Sequence, residues 1–194
     1  MPCIRKIQID DVIYTANTDF RIAIECNRIA QDDTIGDYER VLGILCTVFG
    51  KDGINNRHHY EKLLKWVKNW LSCGKEVEET NEKPDMDYIQ DKWLIMSSFK
   101  YDYKYNPYNM ESLEWEEFFN DLNNLSNSDM GNCCVLNRIR NLRNMDLSQI
   151  KDNKERQKVA KAKERWALKR NKKEVKLTEE QEKSVDEFYK SLGF

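Results

Sequence analysis

Ile7-Gln8-Ile9-Asp10-Asp11-Val12-Ile13-Tyr14 alternates apolar and polar positions on either side of an acidic pair, which predicts a short β-hairpin. The period then changes. Thr18 or Asn17 can cap a helix to about Gln31, along which Phe20, Ala23, Ile24, Cys26, Ile29 and Ala30 recur at helical spacing. A second helix is predicted from about Asp37 to Phe49 on Tyr38, Val41, Leu42, Leu45 and Val48/Phe49, with Gly50 closing it. A third, His58 to Cys73, carries Tyr60, Leu63, Leu64, Val67, Trp70 and Leu71 and ends at Gly74.

Lys75 to Pro84 has no apolar period and reads as an exposed linker. Asp85 or Asp87 then opens a helix with Trp93, Met96, Phe99 and Tyr103 on one face, until Asn106-Pro107 breaks it. Met110 to Leu125 supplies the densest stripe, Trp115, Phe118, Phe119, Leu122 and Leu125. After Gly131 a shorter helix, Asn132 to about Leu142, turns Val135, Leu136, Ile139 and Leu142 inward. Lys151 to Lys173 has helix-forming composition but only Val159, Trp166 and Leu168 as large apolar residues, so it reads as a solvated or partner-bound helix. Thr178-Glu179-Glu180-Gln181 is a capping box before a last helix bearing Val185, Phe188, Tyr189 and Leu192. The pattern predicts a mainly α protein: a multi-helix bundle with a short N-terminal β-hairpin and a basic C-terminal helical extension.

Charge divides the chain at one place. Residues 1–150 carry 18 Lys/Arg against 25 Asp/Glu, and 151–194 carry 14 against 9, which sum to the overall net charge of −2. The expected organisation is therefore a helical body, 1–150, and a charged helical extension, 151–194. A mean hydropathy of −0.83 and 34% charged residues are polar, but 21 clustered aromatics (5 Trp, 9 Tyr, 7 Phe) are material for a core. No apolar run is long enough for a membrane span, and no apolar segment follows the N-terminal charges, so a soluble, unsecreted chain is expected. Cys3, Cys26, Cys46, Cys73, Cys133 and Cys134 show no CxxC spacing, so reduced and mostly buried thiols are expected.

Chemistry-bearing constellations are sparse. His58-His59 with Cys73 lacks a second pair at metal-ligand spacing, and the histidines read instead as an exposed first helical turn. The acids between Lys75 and Asp121, 13 against 5 basic residues, isolate no catalytic pair, and no nucleophile or phosphate loop accompanies them. The basic run could neutralise phosphates, but Asp152, Glu155, Glu164 and Glu174 interrupt it, and Trp166 is its only aromatic for stacking. The helix could equally lie on an acidic surface of this protein or of a partner. Trp115, Phe118 and Phe119, like Trp66 and Trp70, divide between core and interface, because large aromatics serve both.

Five motifs then occur in order: Tyr14 with Asn17-Thr18-Asp19-Phe20-Arg21; Leu71-Ser72-Cys73-Gly74-Lys75; Asp87-Tyr88-Ile89-Gln90-Asp91 with Phe99 and Tyr103; Leu113-Glu114-Trp115-Glu116-Glu117-Phe118; and Ile139-Arg140 followed by Asp146-Leu147-Ser148-Gln149-Ile150-Lys151-Asp152. In this order and spacing they resemble a family of tailed-phage proteins known by the gene-product number fifteen, encoded in the tail module near the tape-measure gene. The resemblance covers about residues 7–170. Two departures stand out: Asp11 replaces the hairpin glycine common in the family, and Glu-Trp-Glu-Glu replaces a His-Trp-Trp-Lys segment, reversing charge at the most aromatic motif. Residues after Arg170 have no counterpart.

The resemblance implies a non-enzymatic tail assembly chaperone acting in the host cytoplasm, without metal or cofactor. Its expected partners are phage tail proteins (the tape measure or the tube protein), with self-association open, no membrane, and nucleic acid disfavoured. A long tape-measure helix exposes apolar stripes, and a soluble helical protein can cover them until tube subunits take over. Partner contacts are expected at Trp93, Phe99, Trp115, Phe118, Arg140, Lys158, Arg165 and Trp166. Two alternatives remain: a structural tail or connector component of the virion, and a nucleic-acid-binding regulator acting through the basic helix.

Overall fold

A computed structural model describes residues 3–76, 84–127 and 133–169, and these are mainly helical with an N-terminal two-stranded hairpin. They fall into two compact units. The first holds 3–76 with 112–117, the second 84–111 with 118–169.

In the first unit, β1 (Ile4–Ile9) and β2 (Val12–Asn17) pair antiparallel with Ile9 opposite Val12, so Asp10-Asp11 is the turn. The hairpin is longer than the alternation at 7–14 indicated. Asp10 takes φ 52°, a left-handed conformation that Asp tolerates better than most side chains. The period of two turns Ile9, Tyr14 and Ala16 inward. Helix α1 (Phe20–Ala30) follows, and its cap is Asp19 rather than Asn17 or Thr18: one carboxylate oxygen accepts from Arg21 N. Of its predicted stripe, Phe20, Ala23, Ile24, Cys26 and Ile29 are buried and Ala30, at the end of the helix, is exposed.

Helix α2 (Asp37–Phe49) has the predicted bounds, with Glu39 reaching back to accept from Gly36 N at 2.7 Å, and it ends at Gly50 with φ 65°. A short helix that the apolar period does not announce, α3 (Asp52–Asn55), folds back on α2. Gly53 permits it, since a Cβ there would lie 2.7 Å from the Leu45 carbonyl oxygen and 2.8 Å from Phe49 Cβ. A one-turn 3-10 helix, Arg57–His59, leads into α4 (Tyr60–Leu71), which buries Tyr60, Leu63, Val67 and Trp70.

Residues 112–114 were expected to be helical but are extended. Their backbone bonds go sideways: Phe20 N donates to Leu113 O, Trp115 N to Thr18 O, and Leu113 N to the second carboxylate oxygen of Asp19. A segment that gives its amides to a neighbour cannot close helical rings with them. Helix α6 (Trp115–Asn123) therefore starts five residues later than Met110, and the chain passes from the first unit to the second within it.

The second unit contains α5 (Lys92–Asp102), which begins after Asp91 and not at Asp85 or Asp87. Asp87 instead folds a tight turn, its carboxylate accepting from Ile89 N and Gln90 N. The inward face also differs from expectation, being Leu94, Ile95, Ser98 and Phe99. Phe99 stacks on Phe118 at 5.3 Å, and Leu122 and Leu125 complete the buried stripe of the second half of α6 and the residues after it. Tyr103 and Tyr105 meet Phe99 edge-on at 5.6 Å and donate their hydroxyls to the Asp121 carbonyl and carboxylate.

Helix α7 (Val135–Asn144) buries Leu136 and Ile139, and Leu136 N donates to Ser98 Oγ at 3.1 Å. Val135 and Leu142 are only half-buried. A 3-10 turn, Leu147–Gln149, precedes α8 (Asn153–Arg165), capped by the Asp152 carboxylate. This helix is shorter than the predicted 151–173, ending at Arg165 with Trp166 as its C-terminal cap. The capping box at 178–181, its helix and most of the predicted linker lie outside the described residues.

Candidate partner-binding site

The exposed features that the sequence singled out for binding meet at one edge of the second unit. Two arginines of α7 prepare it. Arg143 donates to both carboxylate oxygens of Asp91 at 2.6 and 2.7 Å, to the Asp85 carbonyl at 2.8 Å and to the Trp166 carbonyl at 2.7 Å. The Arg143 side chain is 10% exposed and that of Asp91 3%. A planar guanidinium can serve four acceptors at fixed angles, which a lysine cannot. Next to it, Arg140 pairs with Asp85 at 3.1 Å.

Past the end of α8, Gln90 and Lys169 exchange two bonds, Gln90 Nε2 to Lys169 O at 2.9 Å and Lys169 N to Gln90 Oε1 at 2.8 Å. The ends of α7 and α8 are thereby tied to the turn before α5. Trp93, on the first turn of α5 and 52% exposed, lies against the half-buried Trp166 with ring centroids 6.1 Å apart. Ile89, in the preceding turn, is also 52% exposed. Most isolated surface apolar residues need no explanation, but a pair of indoles in contact, beside an aliphatic residue, is a patch.

On α8 itself the basic residues separate into two sets. Arg156 and Lys163 turn inward and donate to the Ile150 and Met145 carbonyls. Lys154, Lys158, Lys161 and Arg165 are exposed, and none has a carboxylate within 4.0 Å among the described residues.

Of the expected contact residues, Trp93 and Trp166 are brought together, and Lys158 and Arg165 sit on the outward stripe of the same unit. Arg140 is engaged by Asp85. Trp115 and Phe118 take their core reading, and Phe99 is interior with them: all three are at most 1% exposed, so a partner cannot touch them in this fold. Trp115 also donates its indole N–H to the Leu71 carbonyl at 3.0 Å, which ties α6 to the end of α4. Asp91, Arg143, Gln90 and Ile89 were missed as parts of this edge. Asp91 and Gln90 stood within a quoted motif, but their partners are 52 and 79 positions away and no local period announces them.

A second polar cluster lies in the first unit. His59 is 7% exposed, not an exposed turn: Tyr14 Oη is 2.8 Å from its Nδ1, and Asp10 approaches its Nε2 at 3.3 Å. Lys62 donates to both Asp10 oxygens and lowers the Asp10 pKa, while burial raises that of Tyr14. An imidazole that accepts from Tyr14 at Nδ1 and donates to Asp10 from Nε2 satisfies every group, so the cluster fastens the hairpin turn to α4.

Among the described residues no group of three or more His, Cys, Asp or Glu is placed to hold a metal ion, and no helix is long and apolar enough to cross a membrane. Comparison with curated proteins and with solved structures gave no match. A family profile, that of the bacteriophage Gp15 protein, matches residues 2–168, all but the last part of the chain. With the five motifs in order and the hairpin followed by helices over the same span, the chain belongs to the bacteriophage Gp15 protein family.

Proposed function

We propose that this protein is a non-enzymatic assembly chaperone for the phage tail, binding the tape measure or another tail protein in the host cytoplasm before the tube closes. Family membership across residues 2–168 supports a phage structural or connector-type protein, and the chaperone role is our narrower reading within it. The surface is compatible with it. Trp93 and Ile89 stand exposed next to a basic helix, which suits repeated contacts of moderate strength better than one deep pocket.

Co-expression with the tape measure tests this directly. The tape measure should co-purify with the protein and become more soluble, and failure of both outcomes would reject the chaperone role. A structural tail or connector component is the competing reading within the same family. Mass spectrometry of purified virions separates them, because a chaperone is absent from finished particles and a connector is present at a fixed stoichiometry.

A further inference from the structure

We propose that the outward face of α8, with the Trp93–Trp166 pair at its C-terminal end and Ile89 beside it, docks an acidic polypeptide segment bearing a bulky apolar side chain among its carboxylates. The inference rests on the reading of the chain as a partner-binding protein and adds the partner's chemistry.

The stripe is continuous. Lys154, Lys158, Lys161 and Arg165 follow one another at i, i+4, i+7 and i+11, a single helical face about 17 Å long at the usual rise per residue. Like charges at this spacing repel, and among the described residues no carboxylate comes within 4.0 Å of them. Arg156 and Lys163 show the contrast, since both spend their donors on backbone carbonyls. The outward row therefore offers uncommitted positive charge, which a segment with spaced carboxylates would neutralise.

The apolar end is held ready. The core of α5 is already supplied by Leu94, Ile95, Ser98 and Phe99, and Trp93 adds little to it from a half-exposed position. Its ring leans on Trp166, whose carbonyl Arg143 holds, and the Gln90–Lys169 pair fixes the strand of chain just beyond. Indoles fixed in this way bind with little loss of side-chain freedom. Arg165, the last cation of the row, directly precedes Trp166 in the chain, so charge and anchor adjoin at this end of α8.

A nucleic acid could also use the row of cations, but the aromatic end does not suit it. The two indoles are packed against each other at 38°, so they present no pair of parallel open faces for a base, and Ile89 adds aliphatic surface. Exposed Glu155 and Glu164 interrupt the same helix. A polypeptide is favoured.

The full chain is titrated, by fluorescence anisotropy, into three labelled probes of matched charge. They are a peptide about three helical turns long in which leucines punctuate glutamates, an all-glutamate peptide, and a thymidine oligonucleotide. The Glu/Leu peptide should bind roughly tenfold more tightly than either of the others. Trp93→Ala should remove its advantage over the all-glutamate peptide. Lys158→Glu with Lys161→Glu should weaken both peptides by about tenfold or more. These side chains are exposed, so circular dichroism and the melting temperature should stay unchanged; if the double reversal misfolds, Lys158→Gln with Lys161→Gln replaces it.

The proposal is overturned if no probe binds, if the all-glutamate peptide binds as well as the Glu/Leu peptide, or if the substitutions leave binding intact. It is equally overturned if the oligonucleotide binds at least as tightly as the Glu/Leu peptide, an outcome that would move the surface to nucleic acid. Peptide binding with neither co-purification nor improved solubility of the tape measure would reject the chaperone reading alone. The reverse result would reject the acidic-segment surface alone.

Discussion

The Arg143 guanidinium serves the Asp91 carboxylate and the carbonyls of Asp85 and Trp166, so one side chain connects α7 to the turn before α5 and to the end of α8. Removing it leaves a carboxylate buried without its counter-charge. Arg143→Ala should cost about 3–5 kcal/mol in chemical denaturation, and Arg143→Lys should recover only part of that because it loses the forked geometry. The Asp91→Asn, Arg143→Met pair should cost less than the sum of its single changes, since the two groups interact directly. A loss below about 1 kcal/mol in Arg143→Ala would place the pair among weak surface contacts. Residue-level reading of the sequence singled out Arg140 and passed over Arg143, three positions later on the same helix. Basic residues on an amphipathic helix look alike until the fold supplies an acceptor.

Elements were legible where one face is buried and local signals agree. The bounds of α2 follow from its apolar spacing and terminal glycine, and α1 and α4 needed shifts of only a few residues. The failures share a cause. Helix α6 begins late because Leu113 and its neighbours bond laterally to the chain at Thr18–Phe20, and α5 begins late because Asp87 folds its own turn. The face of α5 rotated because Leu94 and Ile95 compete with Trp93 and Met96 for the interior, and two aliphatic residues pack there with less volume. Asp19 concentrates the lateral bonding, one oxygen capping α1 and the other taking Leu113 N. Asp19→Ala should therefore lower stability by about 2 kcal/mol or more, above the usual cap loss, because it leaves a buried amide unpaired. Asp19→Asn should recover only part of that, because its single carbonyl oxygen can accept from Arg21 N or from Leu113 N but not from both, and thermal unfolding measures both variants.

At the scale of the whole molecule, acid should be the weak side. Lys62 lowers the pKa of Asp10, Arg28 that of Glu25 and Arg5 that of Glu116, and hydroxyl partners lower those of Asp32 and Asp146. A carboxylate whose folded pKa is lowered contributes stability that is complete above its unfolded value and lost as pH falls through the folded one. These groups are largely exposed, so each contribution is small. The melting temperature should decline gradually from about pH 5 to about pH 2, and less so in high salt, which already screens the pairs. A sharp single-step loss would instead indicate one buried group. On the alkaline side, burial holds the Cys26 thiol up at about 12, so stability falls as pH rises past the ordinary thiol range.

By itself the sequence determined the mainly helical class, the hairpin before it, the change of charge at residue 150 and, through its ordered motifs, the family. Periodicity and composition are local quantities, and each of these follows from near neighbours along the chain. Only the tertiary structure decided which aromatics face outward, placing Phe99, Trp115 and Phe118 inside and leaving Trp93 half in solvent beside Trp166. It also decided which cations are occupied, giving carbonyls to Arg156 and Lys163 and a carboxylate to Arg143, while Lys158 and Arg165 face outward. Such choices depend on partners dozens of positions away, brought within hydrogen-bond reach by packing, and no repeat in the chain encodes them.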